Sequence, residues 1–391
     1  MVIKMKICKR CIMDSEIVGI RFDENGICNF CKIQDFFEKK SKELNLQEIV
    51  NKIKLKGKNK KYDCLIGISG GIDSTYLLYF VTKKLRLRPL VIHIDNEWNS
   101  EIATENIEKI VSKLNVDLKT INVDWNEFKD LQIAFLKASV PGVEVPTDSA
   151  LISIPYKIAL ENDIKTIIIG NNYRTEGRTP FGWGYSDGRY VKSIYKKFTG
   201  KKLKSYPNLT WTNKVYYHYF KKIHFVRLLD YIVYDKKEAT EIVKKEVGWK
   251  PYGHKHYESI YTRFVQSYLL PEKFNIDKRK SHFSALIRSG QMKREDALYE
   301  LQNNPPYPEE KKKEDLEYVL KKLELTKEEW NEIFNRKPKT FLDYPSYYPF
   351  IKRTPIWIIS KLVSSNSTEF LHMIFDEMKY CEQDFKNKAF L

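Results

Sequence analysis

The chain has 391 residues, of which 42% are hydrophobic and 14% aromatic, with 68 lysines and arginines against 51 aspartates and glutamates. This length is typical of two or three domains, and the apolar content excludes a largely disordered chain. The net charge of +17 favours a polyanionic ligand, but an AT-rich codon bias would also enrich lysine. Because the lysines are spread along the whole chain, both explanations stay open.

The sequence contains no segment of secretory or membrane type. Its start, Met1–Cys8, lacks the apolar run of a signal peptide. The most apolar late stretch, Pro355–Ile359, is far shorter than the roughly 20 residues needed to cross a bilayer. Six cysteines in a chain of this length are too few for a disulfide scaffold. We therefore predict a cytoplasmic protein with reduced cysteines and no membrane contact.

Residues 1–55 are predicted to form a metal-binding segment and a helix. Two Cys-x2-Cys pairs, Cys8 with Cys11 and Cys28 with Cys31, are separated by 16 residues, a spacing typical of a zinc ribbon or knuckle. Four thiolates match the tetrahedral geometry of a closed Zn²⁺ site. We therefore predict that zinc binds these cysteines in a structural role, with an iron–sulfur cluster as the alternative.

A lysine-rich stretch, residues 54–61, is predicted to be a solvated linker into a second domain, residues 56–200. Short β-branched runs predict strands at Asp63–Ile68, Pro89–Ile94, Leu118–Val123 and Lys165–Gly170. Helical stretches lie between them, at Ser74–Lys84, Glu101–Leu114, Trp125–Ala138 and Ala150–Asn162. This alternation predicts βαβ units and the α/β fold class, with a doubly wound parallel sheet. Such sheets bind ligands beyond the carboxyl ends of their strands, at the switch point.

The loop after the first strand is the candidate phosphate-binding segment, and its sequence is Ser69-Gly70-Gly71-Ile72-Asp73-Ser74-Thr75. Its glycines allow close backbone approach, and the N–H groups at the start of the following helix favour an anion. No lysine stands at Walker spacing, which argues against a kinase or GTPase. A glycine-rich turn with an Asp-Ser N-cap would account for the same residues without a function.

The Ser-Gly-Gly-x-Asp-Ser pattern resembles the signature of the ATP pyrophosphatase (PP-loop) superfamily. Members share a doubly wound five-stranded sheet and split ATP between its α and β phosphates. The resemblance implies that ATP and Mg²⁺ bind here and that Asp73 helps to hold the Mg²⁺. It also implies that pyrophosphate binds to the loop through Ser69, Gly70, Gly71, Ser74 and Thr75.

Three further segments are expected at the same crevice. Ile94 and Asp95 end the second strand, where members of the superfamily place adenosine. Gly170 and Asn171 end the fourth strand, although Asn171 would also suit an ordinary turn. Glu176 follows in the next loop and is expected to act in catalysis, as a second Mg²⁺ ligand or a substrate contact. An ordinary loop charge is the alternative for Glu176.

A long glycine- and aromatic-rich loop, Tyr173–Tyr190, is predicted next, and loops of that length are usually functional or disordered. Residues 201–391 are predicted to form a mostly helical domain that contacts the substrate or a partner. Nearly the whole chain resembles the N-acetyl sugar amidotransferase family of pseudaminic-acid and O-antigen synthesis. That resemblance rests on the cysteine pairs, the phosphate loop, Thr175-Glu176-Gly177 and a late block comprising His254–Phe264, Ile276–His282 and Ser289–Met292.

The resemblance implies an enzyme that turns the acetamido group of a nucleotide-linked or acidic N-acetyl sugar into an acetamidino group. An amide oxygen attacks the α-phosphorus of ATP, and ammonia then displaces AMP. The departing pyrophosphate needs nearby cations, for which Lys278, Arg279 and Lys280 are the candidates. Arg263 and Lys280 are candidate contacts to a substrate carboxylate or phosphate. A solvated helix start is the alternative for residues 278–280.

The source of the ammonia is expected to be a separate protein. A glutaminase needs a nucleophilic cysteine at a mature N-terminus or on an elbow turn. Residue 2 is Val2, Cys64 precedes the phosphate loop, and Cys381 has no glycine elbow. We therefore predict a separate glutaminase subunit of the kind found in histidine biosynthesis.

A PP-loop enzyme that modifies tRNA is the main alternative, because a basic surface would suit RNA. A thiolase needs a persulfide-bearing cysteine near the crevice, and the loops after the third and fourth predicted strands contain none. A lysidine-type ligase needs no such cysteine and stays open. A zinc-bearing scaffold that only binds nucleotide is a third hypothesis. We favour the sugar enzyme and do not expect a nucleic-acid partner.

Overall fold

The computed structural model describes residues 5–253, 255–362 and 368–387. In this part of the chain, five parallel strands form one sheet in the order β3-β2-β1-β4-β5. The strands are β1 Cys64–Gly67, β2 Pro89–Asp95, β3 Leu118–Asn122, β4 Thr166–Ile169 and β5 His224–Arg227. The chain builds the sheet outward from β1 to β3 and then returns to place β4 on the other side of β1. The predicted α/β class and doubly wound sheet are confirmed, and the switch point lies between β1 and β4.

The two strands at the switch point are buried on both faces, as their continuous apolar sequences predict. Leu65 and Ile66 of β1 are completely buried, and they pair with Ile167 and Ile168 of β4. On its other side, Leu65 pairs with Leu90 of β2. The ends of β1 and β4 therefore lie next to each other in a rigid part of the molecule.

Four helices accompany the first four strands, namely α3 Ile72–Tyr79, α4 Glu101–Leu114, α5 Trp125–Ala138 and α6 Val145–Glu161. The ranges predicted for α4 and α5 are confirmed, because each has clear end signals. Ser100 and Asp124 cap their first turns, and both helices end on a left-handed residue, Asn115 and Ser139. Helix α3 begins two residues earlier than predicted and continues as a π-helical turn, Phe80–Lys84.

The N-terminal region contains two helices, α1 Asn29–Glu43 and α2 Leu46–Lys56. The linker predicted at residues 54–61 is therefore wrong in its first part, because α2 continues through Lys56. Val50 and Ile53 bury one face of α2, which holds the lysine-rich end helical despite its charge.

The remainder is mostly helical, as predicted, except for β5. This edge strand pairs with β4 through residues 224–227, so the sheet extends past the boundary predicted at residue 200. The helices are α7 Gly188–Thr199, α8 Trp211–Val215, α9 Lys236–Val247, α10 Ile260–Phe264, α11 Leu270–Phe274, α12 Arg279–Arg288, α13 Arg294–Asn303, α14 Glu309–Leu323, α15 Lys327–Asn335, α16 Tyr348–Arg353, α17 Ile356–Leu362 and α18 Thr368–Asn387.

One apolar core joins the three regions of the chain. Met13 of the cysteine segment, Phe135 of α5, Phe264 of α10 and Trp330 of α15 belong to the same buried cluster. A second cluster covers the opposite face of the sheet, where α3 packs on α9. Among the described residues, none of the helices combines the length and apolar character needed to cross a membrane.

Candidate active site

The phosphate loop has a backbone that only glycine permits at its second position. Gly70 has φ +77°, and a Cβ there would lie 2.4 Å from the carbonyl oxygen of Ala103. The Gly70 carbonyl accepts a 2.9 Å hydrogen bond from the Trp249 indole and a longer one, 3.5 Å, from Asn106. Because Asn106 also pairs with the backbone of Lys250, α4 and the segment after α9 fix the loop together.

The hydroxyls of the loop are organised around the start of α3. Ser74 Oγ donates to the Gly71 carbonyl at 3.1 Å and accepts from the Ser69 amide at 3.3 Å, while the Gly71 amide donates to Ser69 Oγ. Ser69 is exposed and Ser74 is partly exposed, so both can meet a ligand. Thr75 is completely buried and its Oγ1 has no solvent access. The structure therefore does not present the Thr75 hydroxyl to a phosphate, contrary to the prediction.

Gly71 packs closely against two polar side chains. A Cβ on Gly71 would lie 3.2 Å from both Tyr252 OH and Glu258 Oε1. Glu258 Oε2 has no hydrogen-bond partner in the described part of the chain. Burial raises the pKa of Glu258, but nearby His256, whose Nδ1 lies 3.6 Å away, and Lys255 bring it below its ordinary value. Glu258 is therefore held as a carboxylate close to the loop, with one oxygen that could meet a cation.

Two acidic side chains meet around one lysine at the switch point. The ammonium of Lys255 lies 3.8 Å from Asp73 Oδ2 and 3.3 Å from Glu176 Oε1, and it donates to the Thr175 carbonyl. Asp73 Oδ1 accepts a 2.6 Å hydrogen bond from Tyr234 OH. The Asp73, Lys255 and Glu176 side chains are mostly buried. Asp73 and Glu176, both predicted catalytic residues, are thus brought together across the end of the sheet.

The loop that carries Glu176 is held in a closed turn by its own side chains. Asn172 accepts hydrogen bonds from the amides of Arg174 and Thr175, and Asn171 donates to Glu176 at 2.6 Å. Burial alone would raise the pKa of Glu176, but Lys255, His256 and Asn171 together lower it. Glu176 is therefore held as a carboxylate beside the phosphate loop.

Further cations surround this pair of acids. Burial lowers the pKa of Lys236, whereas the carboxylates of Asp73, Glu258 and Glu176 act in the opposite direction. The rings of His256 and His282 lie 5.3 Å apart. Burial first, then Lys255, His256, Lys278 and Lys236, lower the pKa of His282 well below its ordinary value. A positive field of this kind favours a polyphosphate in the crevice.

Asp148, in the first turn of α6, is a further acid on the Lys278 side of the crevice. Solvent reaches the side chain, but protein atoms lie around the carboxyl group. This loss of bulk water and the nearby Glu144 carboxylate raise the pKa of Asp148 to about 7, while Lys278 and His256 oppose the shift. Glu144 is itself held by a 2.9 Å hydrogen bond from Gln266. Asp148 therefore changes charge near neutral pH.

The residues predicted to lie near adenosine are found at the expected ends of the strands. Ile94 and Asp95 end β2, and the Asp95 carboxylate accepts from the Glu97 amide at 2.8 Å and from Asn99. Gly170 packs against the start of α3, with its Cβ position 3.3 Å from the Ser74 amide nitrogen. These segments face the carboxyl-end crevice that the topology predicts.

The two arginines among the predicted basic residues form ion pairs with other partners. Arg263 makes a bidentate ion pair with buried Asp315, through contacts of 2.6 and 2.8 Å. Arg279 pairs with Asp277 at 2.7 Å and donates to the Asn304 carbonyl. These guanidiniums are engaged in structural contacts, so the structure does not bring them to the loop as predicted.

Lys280 and Lys278 have different surroundings. Lys280 pairs with the buried Asp14 carboxylate at 2.5 Å, away from the predicted substrate contact. Lys278 lies 5.9 Å from the Trp183 ring and close enough to His282 to shift its pKa. Lys278 is therefore the one member of this predicted set that faces the cationic side of the crevice.

Lys255, Lys236 and Tyr234 are the site residues that the sequence pattern did not single out. Lys255 stands within the late block quoted above, but no spacing rule connects a lysine there with a loop some 180 residues earlier. Its neighbour His254 in that block lies outside the described residues.

The four cysteines form one buried cluster. All four are completely buried, and their sulfurs lie within 4.8 Å of one another. The Sγ distances are 3.8 Å for Cys8–Cys31, 3.7 Å for Cys11–Cys28 and 3.6 Å for Cys28–Cys31. A tetrahedral zinc with Zn–S bonds of about 2.3 Å needs sulfurs about 3.8 Å apart. A four-iron cluster would hold the sulfurs much farther apart, because each binds a different iron.

The comparison with protein families identifies the C-terminal region. Residues 258–356 match the family described as "LPS biosynthesis protein WbpG-like, C-terminal domain". An uncharacterized protein of Methanocaldococcus jannaschii is 33% identical over 129 residues, which cover 32% of this chain and 45% of that protein. The match thus spans less than half of that relative.

Solved structures give partial likenesses. NH3-dependent NAD synthetase from Campylobacter jejuni shares 18% identity at a TM-score of 0.27, over 40% of this chain and 75% of that one. NMN synthetase from Francisella tularensis shares 14% sequence identity at a TM-score of 0.28, and the alignment covers 49% of this chain and 97% of that one. The U34-tRNA thiolase of Methanococcus maripaludis, which carries a [4Fe-4S] cluster, shares 13% sequence identity at a TM-score of 0.31. That alignment covers 73% of this chain and 87% of the thiolase.

Glu258, the first residue of the matched segment, lies against Gly71, with Oε1 3.2 Å from the Cβ position of that glycine. The C-terminal domain and the phosphate loop therefore build one site. Residues 258–356 are therefore similar to the C-terminal domain of WbpG-like lipopolysaccharide-biosynthesis proteins, and this match, the loop sequence and the doubly wound sheet support the predicted family and superfamily.

Proposed function

We propose that this protein is an ATP-dependent amidotransferase that converts the acetamido group of a nucleotide-linked or acidic sugar into an acetamidino group. The observation that carries the proposal is the cluster of Asp73, Lys255 and Glu176 at the phosphate loop, in a chain with a WbpG-like domain. This arrangement supplies acids for a metal, cations for phosphates and a domain from lipopolysaccharide biosynthesis.

The reaction has two steps whose atoms balance. The amide oxygen of the sugar attacks the α-phosphorus of ATP, and the bond to the β-phosphate breaks to release pyrophosphate. Ammonia then adds to the activated carbon, loses a proton, and expels AMP together with the former amide oxygen. The product carries NH in place of that oxygen, so the sugar becomes about one mass unit lighter.

The residues of the chain act mainly on the first step. The amides of Gly70 and Gly71 and the hydroxyls of Ser69 and Ser74 bind the departing pyrophosphate at the start of α3. Asp73 and Glu176 are the carboxylates that would hold Mg²⁺, which would supply Lewis-acid stabilisation of phosphate oxygens. Lys255 and Lys236 provide fixed positive charge that neutralises the same group.

The Lys255 ammonium also has a positioning role. By contacting both Asp73 and Glu176, it keeps two carboxylates close without the repulsion that would otherwise protonate one of them. The loop after β4 and the loop after β1 are thereby held at one distance across the switch point. A sugar that enters between the two loops would then meet ATP held in a fixed orientation for in-line attack.

We further propose that Zn²⁺ occupies the four-cysteine cluster in a structural role. The sulfur distances support a single tetrahedral ion. The cluster belongs to the same buried core as the sheet, which supports stabilisation rather than chemistry. Metal analysis of the purified protein by plasma mass spectrometry tests this, and iron instead of zinc would contradict it.

Ammonia is proposed to come from a separate glutaminase subunit. The two cysteines outside the metal cluster, Cys64 and Cys381, are completely buried, and burial raises the pKa of each thiol. Neither is placed to attack glutamine. Ammonium salt should support turnover by the purified chain, whereas glutamine should do so only after a glutaminase is added.

The deciding experiment incubates the protein with ATP, Mg²⁺ and ammonium salt over a panel of nucleotide-linked N-acetyl sugars, with mass spectrometry of the products. AMP, pyrophosphate and a sugar about one mass unit lighter are expected. Lys255→Met should abolish this conversion, and Lys237→Met, on the exposed face of α9, should leave it intact. ADP as the product would contradict the proposal at its root.

Bulk tRNA belongs in the same panel because a tRNA-modifying enzyme uses the same activation chemistry. The buried state of Cys64 and Cys381 argues against a thiolase that relies on a persulfide there. AMP release that depends on tRNA and not on any sugar would move the protein to the RNA-modifying class.

A further inference from the structure

Helix α12 lies between the four-cysteine cluster and the loop that carries Glu176. One face of it contacts residues of the cysteine segment, and the adjacent face contacts residues 174–178. The two sites are far apart in the sequence but share this single helix as a neighbour. That placement raises the question of whether one site positions the other.

The cysteine side of α12 is tied by polar contacts at three positions. Ser284 Oγ accepts a hydrogen bond from the Ile12 amide, and Arg288 Nη2 lies 4.0 Å from Cys11 Sγ. Lys280 pairs with Asp14, the third residue after Cys11. The cysteine segment therefore runs along the helix instead of meeting it at one point.

The next helix reinforces this attachment. Arg294, the first residue of α13, donates to the carbonyls of Cys8 and Cys11 at 3.2 and 3.1 Å. Two arginines thus meet the backbone or sulfur of the Cys8–Cys11 pair. A metal bound by four thiolates leaves a net charge of about −2, which is the charge that these guanidiniums complement.

The adjacent face of α12, one residue further round the helix, holds the Glu176 loop. Ser289 Oγ lies 2.9 Å from the Arg174 carbonyl oxygen and 2.9 Å from the Ala285 carbonyl oxygen of the helix, so its one hydroxyl proton is shared between the loop and the helix. Ser281 Oγ donates to the Arg178 carbonyl at 3.4 Å. Between them, Gly177 has φ +64°, and a Cβ on it would lie 3.0 Å from the Ala285 methyl. The helix therefore contacts the loop both before and after Glu176.

Arg288 is the residue that reaches both sides. It is 8% exposed, its Nη1 lies 3.8 Å from the Cβ position of Gly177, and its Nε has no hydrogen-bond partner in the described ranges. No ion pair with a carboxylate is formed by Arg288 among the described residues. A buried guanidinium without an anion is costly, so the Cys11 thiolate is the group that can compensate its charge.

We propose that the metal–thiolate cluster positions the Glu176 loop through α12, with Arg288 as the positioning residue. When the thiolates carry a metal, their charge holds Arg288, and the last turn of α12 then holds residues 174–178 against the phosphate loop. When the metal is lost, Arg288 is left uncompensated and that turn loosens. The inference rests on the proposed zinc site, but it does not depend on which sugar is the substrate.

The test follows three readouts in the full-length protein. They are metal release to a colorimetric chelator, hydrogen–deuterium exchange of a peptide covering residues 171–178, and binding of a non-hydrolysable ATP analogue with Mg²⁺. Stripping the metal from the wild type should raise exchange in that peptide several-fold and weaken nucleotide binding. Unchanged exchange after metal removal would overturn the proposal.

Variants separate the two sides of the helix. Arg288→Gln should speed metal release about tenfold and raise loop exchange, and Arg288→Lys should restore part of both. Ser289→Ala should leave metal release unchanged and still raise loop exchange. Lys293→Gln, an exposed residue just before α13, is the control and should change none of the readouts.

Two outcomes would contradict the coupling even if every variant folds. A looser loop in Arg288→Gln with normal metal release would make Arg288 a packing residue only. Ser289→Ala with unchanged loop exchange would show that α12 does not hold the loop. If Arg288→Gln fails to fold, Arg288→Lys and Ser289→Ala decide the question. Failure of the wild type to bind any nucleotide would instead count against the proposed function.

Discussion

The hydroxyl of Tyr234 donates a 2.6 Å hydrogen bond to Oδ1 of Asp73, so the residue just before α9 fixes the acid of the phosphate loop. Asp73 Oδ2 remains on the side of Lys255, 3.8 Å from its ammonium. A carboxylate that is held through one oxygen presents the other in a defined direction. Tyr234 therefore orients the atom that is proposed to bind Mg²⁺.

Tyr234→Phe removes this hydrogen bond and keeps the ring that packs against Tyr76 at 5.4 Å. We expect the Mg²⁺ concentration for half-maximal pyrophosphate release to rise roughly 10-fold or more, because ligands that lose an outer hydrogen bond typically weaken metal binding by that factor. Titration of Mg²⁺ at saturating ATP measures it. Tyr299→Phe, at an exposed residue, is the control, and an equal effect of both changes would refute the orienting role.

Much of the fold could be predicted, and the exceptions have physical reasons. The strands at the switch point are continuous apolar runs, and α4 and α5 have caps at both ends, so local sequence determines them. The edge strand β5 escapes prediction because its four residues, His224–Arg227, are at most partly buried and only two of them are apolar. Pairing with β4 determines that strand, and no local pattern reports such pairing.

The site was predictable where one segment carries it and not where distant segments meet. Asp73 and Glu176 follow strands that share one end of the sheet, so topology alone brings them together. Lys255 reaches them only through the packing of the C-terminal region on the sheet. Arg263 has the appearance of a substrate contact in the sequence because its partner Asp315 lies 52 residues later.

Lys255→Met should reduce the rate of pyrophosphate release by roughly 10²- to 10³-fold, the usual effect of removing one preorganised charge-stabilising group. The KM for ATP should change less than kcat if the lysine acts mainly on the departing group. Lys237→Met is the matched control. A variant with normal kcat would show that Lys255 only supports the structure.

The same variant should alter the dependence of stability on pH in the absence of Mg²⁺ and nucleotide. In the wild type, burial raises the pKa of Glu176, but the nearby Lys255 ammonium helps to bring it below its ordinary value. Its ionisation therefore stabilises the fold above the unfolded pKa, and this contribution is lost as pH falls through the folded value. In Lys255→Met burial dominates, so the stability deficit relative to wild type should grow as pH rises from about 4 towards 7. Urea unfolding across this range measures it, and a constant deficit would contradict the assignment.

Asp148 gives a second pH signature with the opposite sign. Its folded pKa is raised to about 7, so between the unfolded value and 7 the folded state binds more protons, and stability falls as pH rises. Asp148→Asn should match the wild type near pH 4 and become relatively more stable by pH 8. Glu144→Gln should lower the midpoint, because the Glu144 carboxylate repels that of Asp148. A difference between wild type and Asp148→Asn that does not vary with pH would exclude the shift.

The ion pair of Arg263 with Asp315 predicts a loss of stability, not of substrate affinity. The side chains are 12% and 4% exposed, and the Tyr307 hydroxyl also bonds to Asp315. Arg263→Met or Asp315→Asn leaves one buried group without its partner, which should cost about 3–5 kcal/mol of unfolding free energy. The double change Arg263→Met with Asp315→Leu removes both charges and should cost less than the sum of the two single changes.

Steady-state kinetics then separate this structural role from the predicted one. At a temperature where the Arg263→Met protein is folded, the KM for the sugar should stay within about twofold of wild type, because the guanidinium is engaged by Asp315. A large rise in that KM with little loss of stability would show instead that Arg263 contacts the substrate. The ion pair would then have to open when the sugar binds, since both Arg263 contacts to Asp315 are formed without it.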